Sequence, residues 1–101
     1  MLPFAGMSLL FEWDPKKAEA NLAKHEISFE EALEVFADSL ARIFPDPEHS
    51  VDELREIIIG HTEKQQLILV NYIEIDHRVR IISARKATRR ERKDYEENVG
   101  S

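Results

Sequence analysis

A chain of 101 residues is long enough for one domain and too short for two. Its 43% hydrophobic content supports one compact core, and its lack of cysteine excludes disulfides and thiolate metal sites. A net charge of -6 argues against loose, nonspecific coating of nucleic acid.

Taken in chain order, Leu9, Leu10, Phe11, Glu12 and Trp13 read as a short first strand. Asp14 then offers an N-cap, and Pro15 sits at the first helical position, where its missing N–H costs nothing. A helix to Lys24 or His25 follows, with Ala18, Leu22 and His25 on one face. Ser28 and Glu31 have capping-box spacing, Ile27 and Ala32 suit a hydrophobic staple, and Phe29, Ala32, Leu33 and Phe36 form a helical apolar face. After Asp38 the period changes. Residues 40–44 predict a strand broken by Pro45, Asp46 and Pro47, and β-branched runs at 56–60, 67–75 and 78–84 predict three more. Short connections favour an antiparallel meander. Thr88 and Glu91 repeat the capping-box spacing and open a last helix to about Asn98. The expected fold is α+β, with two N-terminal helices and one C-terminal helix packed on an antiparallel sheet.

Charge is unevenly spread. Residues 1–76 carry -10, residues 77–93 carry +7 and the tail from Asp94 carries -3. Such a cationic stretch is the footprint of a nucleic-acid or acidic-partner surface. No apolar run approaches the roughly 20 residues that cross a bilayer. The opening MLPFAGMSLLFEWD lacks the basic flank and long apolar stretch of a secretory signal. A cytoplasmic protein without membrane contact is expected, as one domain over residues 1–101 with 1–7 as a flexible extension, since Met7 offers a second start.

Three segments carry a resemblance: FEWDPKKAEANLAKHEISFEEALEVFAD, REIIIGHT and RVRIISARKATRRERKDYEE. In order and spacing they are similar to the BrnT toxins of type II toxin–antitoxin systems (the DUF497 family), from Phe11 to about Glu97. The resemblance implies a RelE-like fold and a ribonuclease that halts translation. It also implies a cognate BrnA-like antitoxin of ribbon-helix-helix type, with operator DNA bound only through that antitoxin. One position departs from the pattern. The family's Lys-His-Gly reads Lys24, His25, Glu26 here, so a residue with a side chain stands where a left-handed helix C-cap is expected.

RNA cleavage without a metal needs a base for the 2′-OH proton, cations for the charged phosphorane and an acid for the departing 5′-oxygen. No carboxylate array has metal spacing, and His25, His49, His61 and His77 are scattered, so neither a metal nor a cofactor is expected. Guanidinium groups then supply the electrostatic part, because their planar fork matches phosphate. Arg80 and Arg85 are the first candidates. Strand alternation starts them on opposite faces, so they converge on one anion pocket only if the strand twists or bulges between them. The plainer alternative is an ion pair for each.

Lys24 and His25 complete the candidate catalytic set, as phosphate anchor and as general base or acid, on the strength of the family's front motif. Without it they would read as cations complementing a helix C-terminus, or as a packed neutral His. Arg55, His61, Lys86, Arg89, Lys93 and Tyr95 are candidate RNA contacts. Their plainer roles are a local ion pair for Arg55 beside Glu53 and Glu56, a solvated helix face for the cations, and sheet packing for Tyr95. Related RelE toxins do use a tyrosine near the chain end. Glu91 reads as the capping-box carboxylate, and Trp13 as a core aromatic. The rival to the enzyme is a non-catalytic RNA- or partner-binding module acting within a DNA-bound repressor complex.

Overall fold

The structure, a computed structural model, describes residues 10–46 and 55–99. The expected extension at 1–7, and Pro47, His49 and Glu53, lie outside the described residues. The elements are β1 (Leu10–Trp13), α1 (Pro15–His25), α2 (Phe29–Val35), β2 (Arg42–Pro45), β3 (Arg55–His61), β4 (Leu67–Ile75), β5 (Arg78–Lys86) and α3 (Arg89–Val99). Their order is the predicted one.

Local chemistry explains the helix ends. The Asp14 carboxylate accepts from the Lys16 N–H at 2.9 Å, with Pro15 at the first turn of α1. At α2 the Ser28 hydroxyl accepts from the Glu31 N–H at 3.0 Å, and the Glu31 carboxylate accepts from the Ser28 N–H at 3.2 Å. Glu26 caps α1 in the left-handed region at φ 60° and ψ 29°, a conformation costing a non-glycine residue about 1 kcal/mol. The strand predicted at 40–44 starts at Arg42, because Asp38 draws residues 38–41 into a turn. Its carboxylate accepts from the Leu40 N–H and its carbonyl from the Ala41 N–H.

The sheet has the order β1-β5-β4-β3-β2. From β2 to β5 it is the expected antiparallel meander, but β1 pairs parallel with β5, so the sheet is mixed. The intervening elements supply the long return that a parallel pair requires. One face is sealed by α1 and α2. Ile27, Phe29, Ala32 and Val35 meet Ile58, Val70 and Ile81 there, all fully buried. Trp13 stands edge-on to Phe29 at 5.9 Å, as a core aromatic. Gly60 permits close approach of β3 to the end of α2, since a Cβ there would lie 2.9 Å from Val35 Cγ1.

Two features of β5 set up the opposite face. Because β1 stops at Trp13, the rest of that β5 edge has no strand beside it. Asn21 takes the strand's place: its Oδ1 accepts from the Ala84 N–H at 3.0 Å, and its Nδ2 donates to the carbonyls of Ala84 and Ile27, both at 2.9 Å. The buried side of α1 therefore includes Asn21, whereas Leu22, predicted to face inward, is 50% exposed. The second feature is a β-bulge. Asn71 pairs with Ser83 and Tyr72 with Ile81, leaving Ile82 as the extra residue. Val79, Ile81 and Ala84 all point into the helix-covered core, so Arg78, Arg80 and Arg85 share the other face.

Candidate functional site

On that second face the strand register arranges side chains in rows across the sheet. One row runs Glu12, Arg80, Ile73, Arg55, and another runs Arg85, Leu69, Ile59, Arg42. Between them lie Ser83, Asn71, Ile57 and Phe44. Arg80 and Arg85 thus share a face, yet their partners Ile73 and Leu69 stand four positions apart on β4, about 13 Å along the strand. The expected convergence on one pocket is corrected: each arginine lines its own cleft.

Helix α3 crosses the Arg85 row. Its 11 residues rise about 16 Å, enough to span the four strands. Fastenings hold it at three places. Near its start Arg85 Nη1 and Nη2 donate to the two Glu91 oxygens at 2.8 and 2.9 Å. Near its end Arg42 Nη2 donates to the Asn98 carbonyl at 3.1 Å. Between them Tyr95, 6% exposed, packs on Ile59, Leu67 and Leu69, and its hydroxyl donates to the Leu40 carbonyl at 3.1 Å. Burial first, then the Asp38 charge, pushes the Tyr95 hydroxyl above its ordinary pKa. Its ring is also edge-on to His61 at 5.5 Å, and the His61 N–H donates to the Asp38 carboxylate at 2.7 Å. Tyr95 and His61 therefore anchor the helix.

A cleft of about 450 Å³ opens between α3 and the sheet, floored by Phe44, Ile57, Ile59 and Leu69 and edged by Arg42, Arg85, Glu91 and Asp94. Glu91 closes the predicted capping box: its Oε1 accepts from the Thr88 N–H at 2.8 Å, and the Thr88 hydroxyl accepts from the Glu91 N–H at 3.1 Å. The bond from Arg85 is the main reason its carboxyl falls to a pKa of about 2, aided by the Thr88 N–H and opposed by burial. So acidic a carboxylate is a poor proton acceptor near neutrality. The same bond raises the Arg85 pKa.

The two arginines differ in which edge they leave open. Arg80 turns its Nε and Nη2 onto Glu12 Oε2 at 2.8 and 2.7 Å, while Arg78 holds the other oxygen at 3.3 Å. Arg85 instead uses its terminal edge on Glu91, and Nη1 also donates to the Lys86 carbonyl at 3.2 Å. Of its five donors, Nε–H and the outer Nη2–H have no partner among the described residues, a parallel pair suited to phosphate oxygens. The Arg85 side chain is 40% exposed and lines the cleft under α3.

The remaining candidates scatter. Lys24 and His25 end α1 on the helix-covered side, Lys24 exposed and His25 half-buried, and neither lines the cleft of Arg80 or of Arg85. Lys86 pairs with Ile68 and faces the helix-covered side. On α3 the cleft is lined by Glu91, Asp94, Tyr95 and Asn98, so Arg89 and Lys93 project from the opposite side of the helix. Arg55 begins β3 on the open face, one strand from Arg80's neighbour Ile73. The sequence reading missed Arg42, Asp94 and Glu12. Only the two-residue spacing of Arg42 and Phe44 on one strand hinted at a shared face. Among the described residues, no group of three or more His, Asp or Glu is placed to hold a metal ion.

Fold and site together define a small α+β protein with one sealed sheet face and one cationic, partly open face. The family model described as "Ribonuclease toxin, BrnT, of type II toxin-antitoxin system" matches residues 13–91, and the chain belongs to that family. A toxin of such a system has a cognate antitoxin. The crystal structure of the Brucella abortus ribonuclease toxin BrnT is similar to this chain, with a TM-score of 0.60 and 26% identity. That match covers 81% of this chain and 100% of the other. No curated protein matches the sequence.

Proposed function

We propose that this chain is a metal-independent endoribonuclease that blocks translation by cutting RNA. The observation carrying the reading is the open Nε/Nη2 edge of Arg85, held by Glu91 at an accessible cleft in a ribonuclease-toxin family member. In the proposed reaction the 2′-oxygen attacks the adjacent phosphorus as a base takes its proton. The bond to the 5′-oxygen breaks as an acid protonates it. The products are a 2′,3′-cyclic phosphate and a free 5′-hydroxyl. Arg85 stabilises the added negative charge on the phosphorane oxygens. Arg80 and Arg55 steer the strand along the open face. The family motif offers His25 for proton transfer and Lys24 for phosphate anchoring, but both end α1 on the helix-covered side and line neither arginine's cleft, so this assignment requires the RNA to come within reach of both sides of the β5 edge. A BrnA-like ribbon-helix-helix antitoxin would silence the protein by covering this face and would carry operator DNA binding itself. No helix among the described residues is long and apolar enough to cross a membrane, and action in the cytoplasm is part of the proposal.

The test is digestion of bulk RNA by purified, antitoxin-free protein with EDTA present. Cyclic-phosphate ends that disappear with Arg85→Ala support the enzyme. Tight binding with intact RNA supports the non-catalytic module. His25→Ala and His25→Gln at the wild-type rate, in folded protein, would remove His25 from the chemistry.

A further inference from the structure

The cleft under α3 contains more than a phosphate contact requires. Gripping an anion needs donors and an approach, not an apolar floor. Yet Phe44, Ile57, Ile59 and Leu69 line about 450 Å³ there, within the range of pockets that enclose small organic ligands. Helix α3 does not fill it, because of its described side chains only the Tyr95 ring belongs to the buried cluster beneath. Phe44 is 42% exposed, an aromatic surface left open at the edge of the sheet.

The polar rim is asymmetric. On one side stands Arg42, whose Nη2 reaches the Asn98 carbonyl and whose other N–H groups have no partner among the described residues. One helical turn before Asn98 stands Asp94, exposed, its carboxylate taking no hydrogen bond or ion pair among the described residues. Glu91 is not equivalent, since both its oxygens are held by Arg85 and one also by the Thr88 N–H. Among the described residues the cleft thus offers an apolar floor, the open carboxylate of Asp94, the open N–H groups of Arg42 and the Arg85 fork in its lining.

We propose that this cleft is a nucleobase subsite selective for guanine, a reading that rests on the ribonuclease function above. The base stacks on Phe44, the usual way a single-stranded base is received. Guanine has two adjacent donors, N1–H and N2–H, which a carboxylate accepts together. Adenine and cytosine set a ring-nitrogen acceptor beside their amino group, and uracil flanks its single N–H with carbonyls, so each repels one oxygen of Asp94. Arg42 complements the guanine O6 and N7 acceptors, as arginine does elsewhere. The phosphate 3′ to that guanosine then falls to the Arg85 fork, placing the cut after guanosine.

Titration of the full chain with each of the four nucleoside 3′-monophosphates, followed by amide NMR, tests the subsite. Guanosine 3′-monophosphate is expected to bind about tenfold tighter than the others, with shifts in β2, β3, β4 and α3. Asp94→Asn should erase that preference, and Phe44→Ala should weaken all four by about tenfold. Equal binding of the four, a preference that survives Asp94→Asn, or shifts confined to other elements would overturn the proposal. Parallel RNA digestion separates the two claims. A protein that cuts RNA without discriminating the mononucleotides defeats the guanine site alone, and one that discriminates but never cuts defeats the ribonuclease and leaves the site standing.

Discussion

The two faces of the sheet are built from the same strands and put to opposite uses. Under α1 and α2 the face is closed: aromatic rings meet edge-on, both halves of a capping box are made, and even the buried amide of Asn21 has its hydrogen-bonding groups engaged. Under α3 the face is fastened at three places around an apolar gap, and its arginines reach solvent. The contrast teaches that the residues packing the core and the residues lining the clefts are held on different sides of a sheet only one residue thick. Substitutions should therefore sort by face.

The sharpest separation should come from Phe29→Ala, which empties a fully buried site and should cost about 3–5 kcal/mol. Phe44→Ala on the open face should stay within about 0.5 kcal/mol. Urea unfolding of both decides, and equal losses would end the comparison. Next comes Arg85→Ala, expected to lower the cleavage rate by about 10²–10³-fold, while Arg80→Ala, whose Nε edge is taken by Glu12 and which lines a separate cleft, should lose less than about tenfold. Initial rates on one RNA substrate compare them, and a larger loss for Arg80 would reverse the assignment.

Asn21→Ala would orphan the Ala84 N–H and carbonyl on the β5 edge and the Ile27 carbonyl between α1 and α2, at about 1–3 kcal/mol. An unchanged urea midpoint would mean that water substitutes for the amide. Glu26→Gly relieves the left-handed cap and should add about 1 kcal/mol, seen as a higher melting temperature. The smallest effect concerns acid. The Glu91 pKa is depressed to about 2 from a reference of 4.5. Its contribution is present above the unfolded-state value and is lost as pH falls through the folded one, between about 4.5 and 2. Melting temperatures across that range should fall more steeply for wild type than for Glu91→Gln. Parallel curves would mean that the Arg85 bridge adds little.

Much of the closed face was legible because it follows from near neighbours. Asp14, Pro15, Ser28 and Glu31 announce helix ends through contacts within four residues, and the structure makes each of them. The element order followed from hydrophobic periods for the same reason. What could not be read depends on distant partners. Asn21 looks like an ordinary helix surface residue until a strand ends beside it, 63 positions away in the chain. Parallel pairing of β1, the place of Arg42 and the separate clefts of Arg80 and Arg85 are likewise tertiary outcomes. Alternation alone put the two arginines on opposite faces, and only the register with β4 shows otherwise.

That register shift at Ile82 makes β5 behave like a sentence whose meaning turns on one inserted letter. Drawing Ile82 into the ladder, instead of leaving it outside the pairing, would restore strict alternation and swing Arg85 beneath α1 and α2 while turning Ala84 outward. Deleting Ile82 would only straighten the strand, with Ala84 still inward and Arg85 still on the open face.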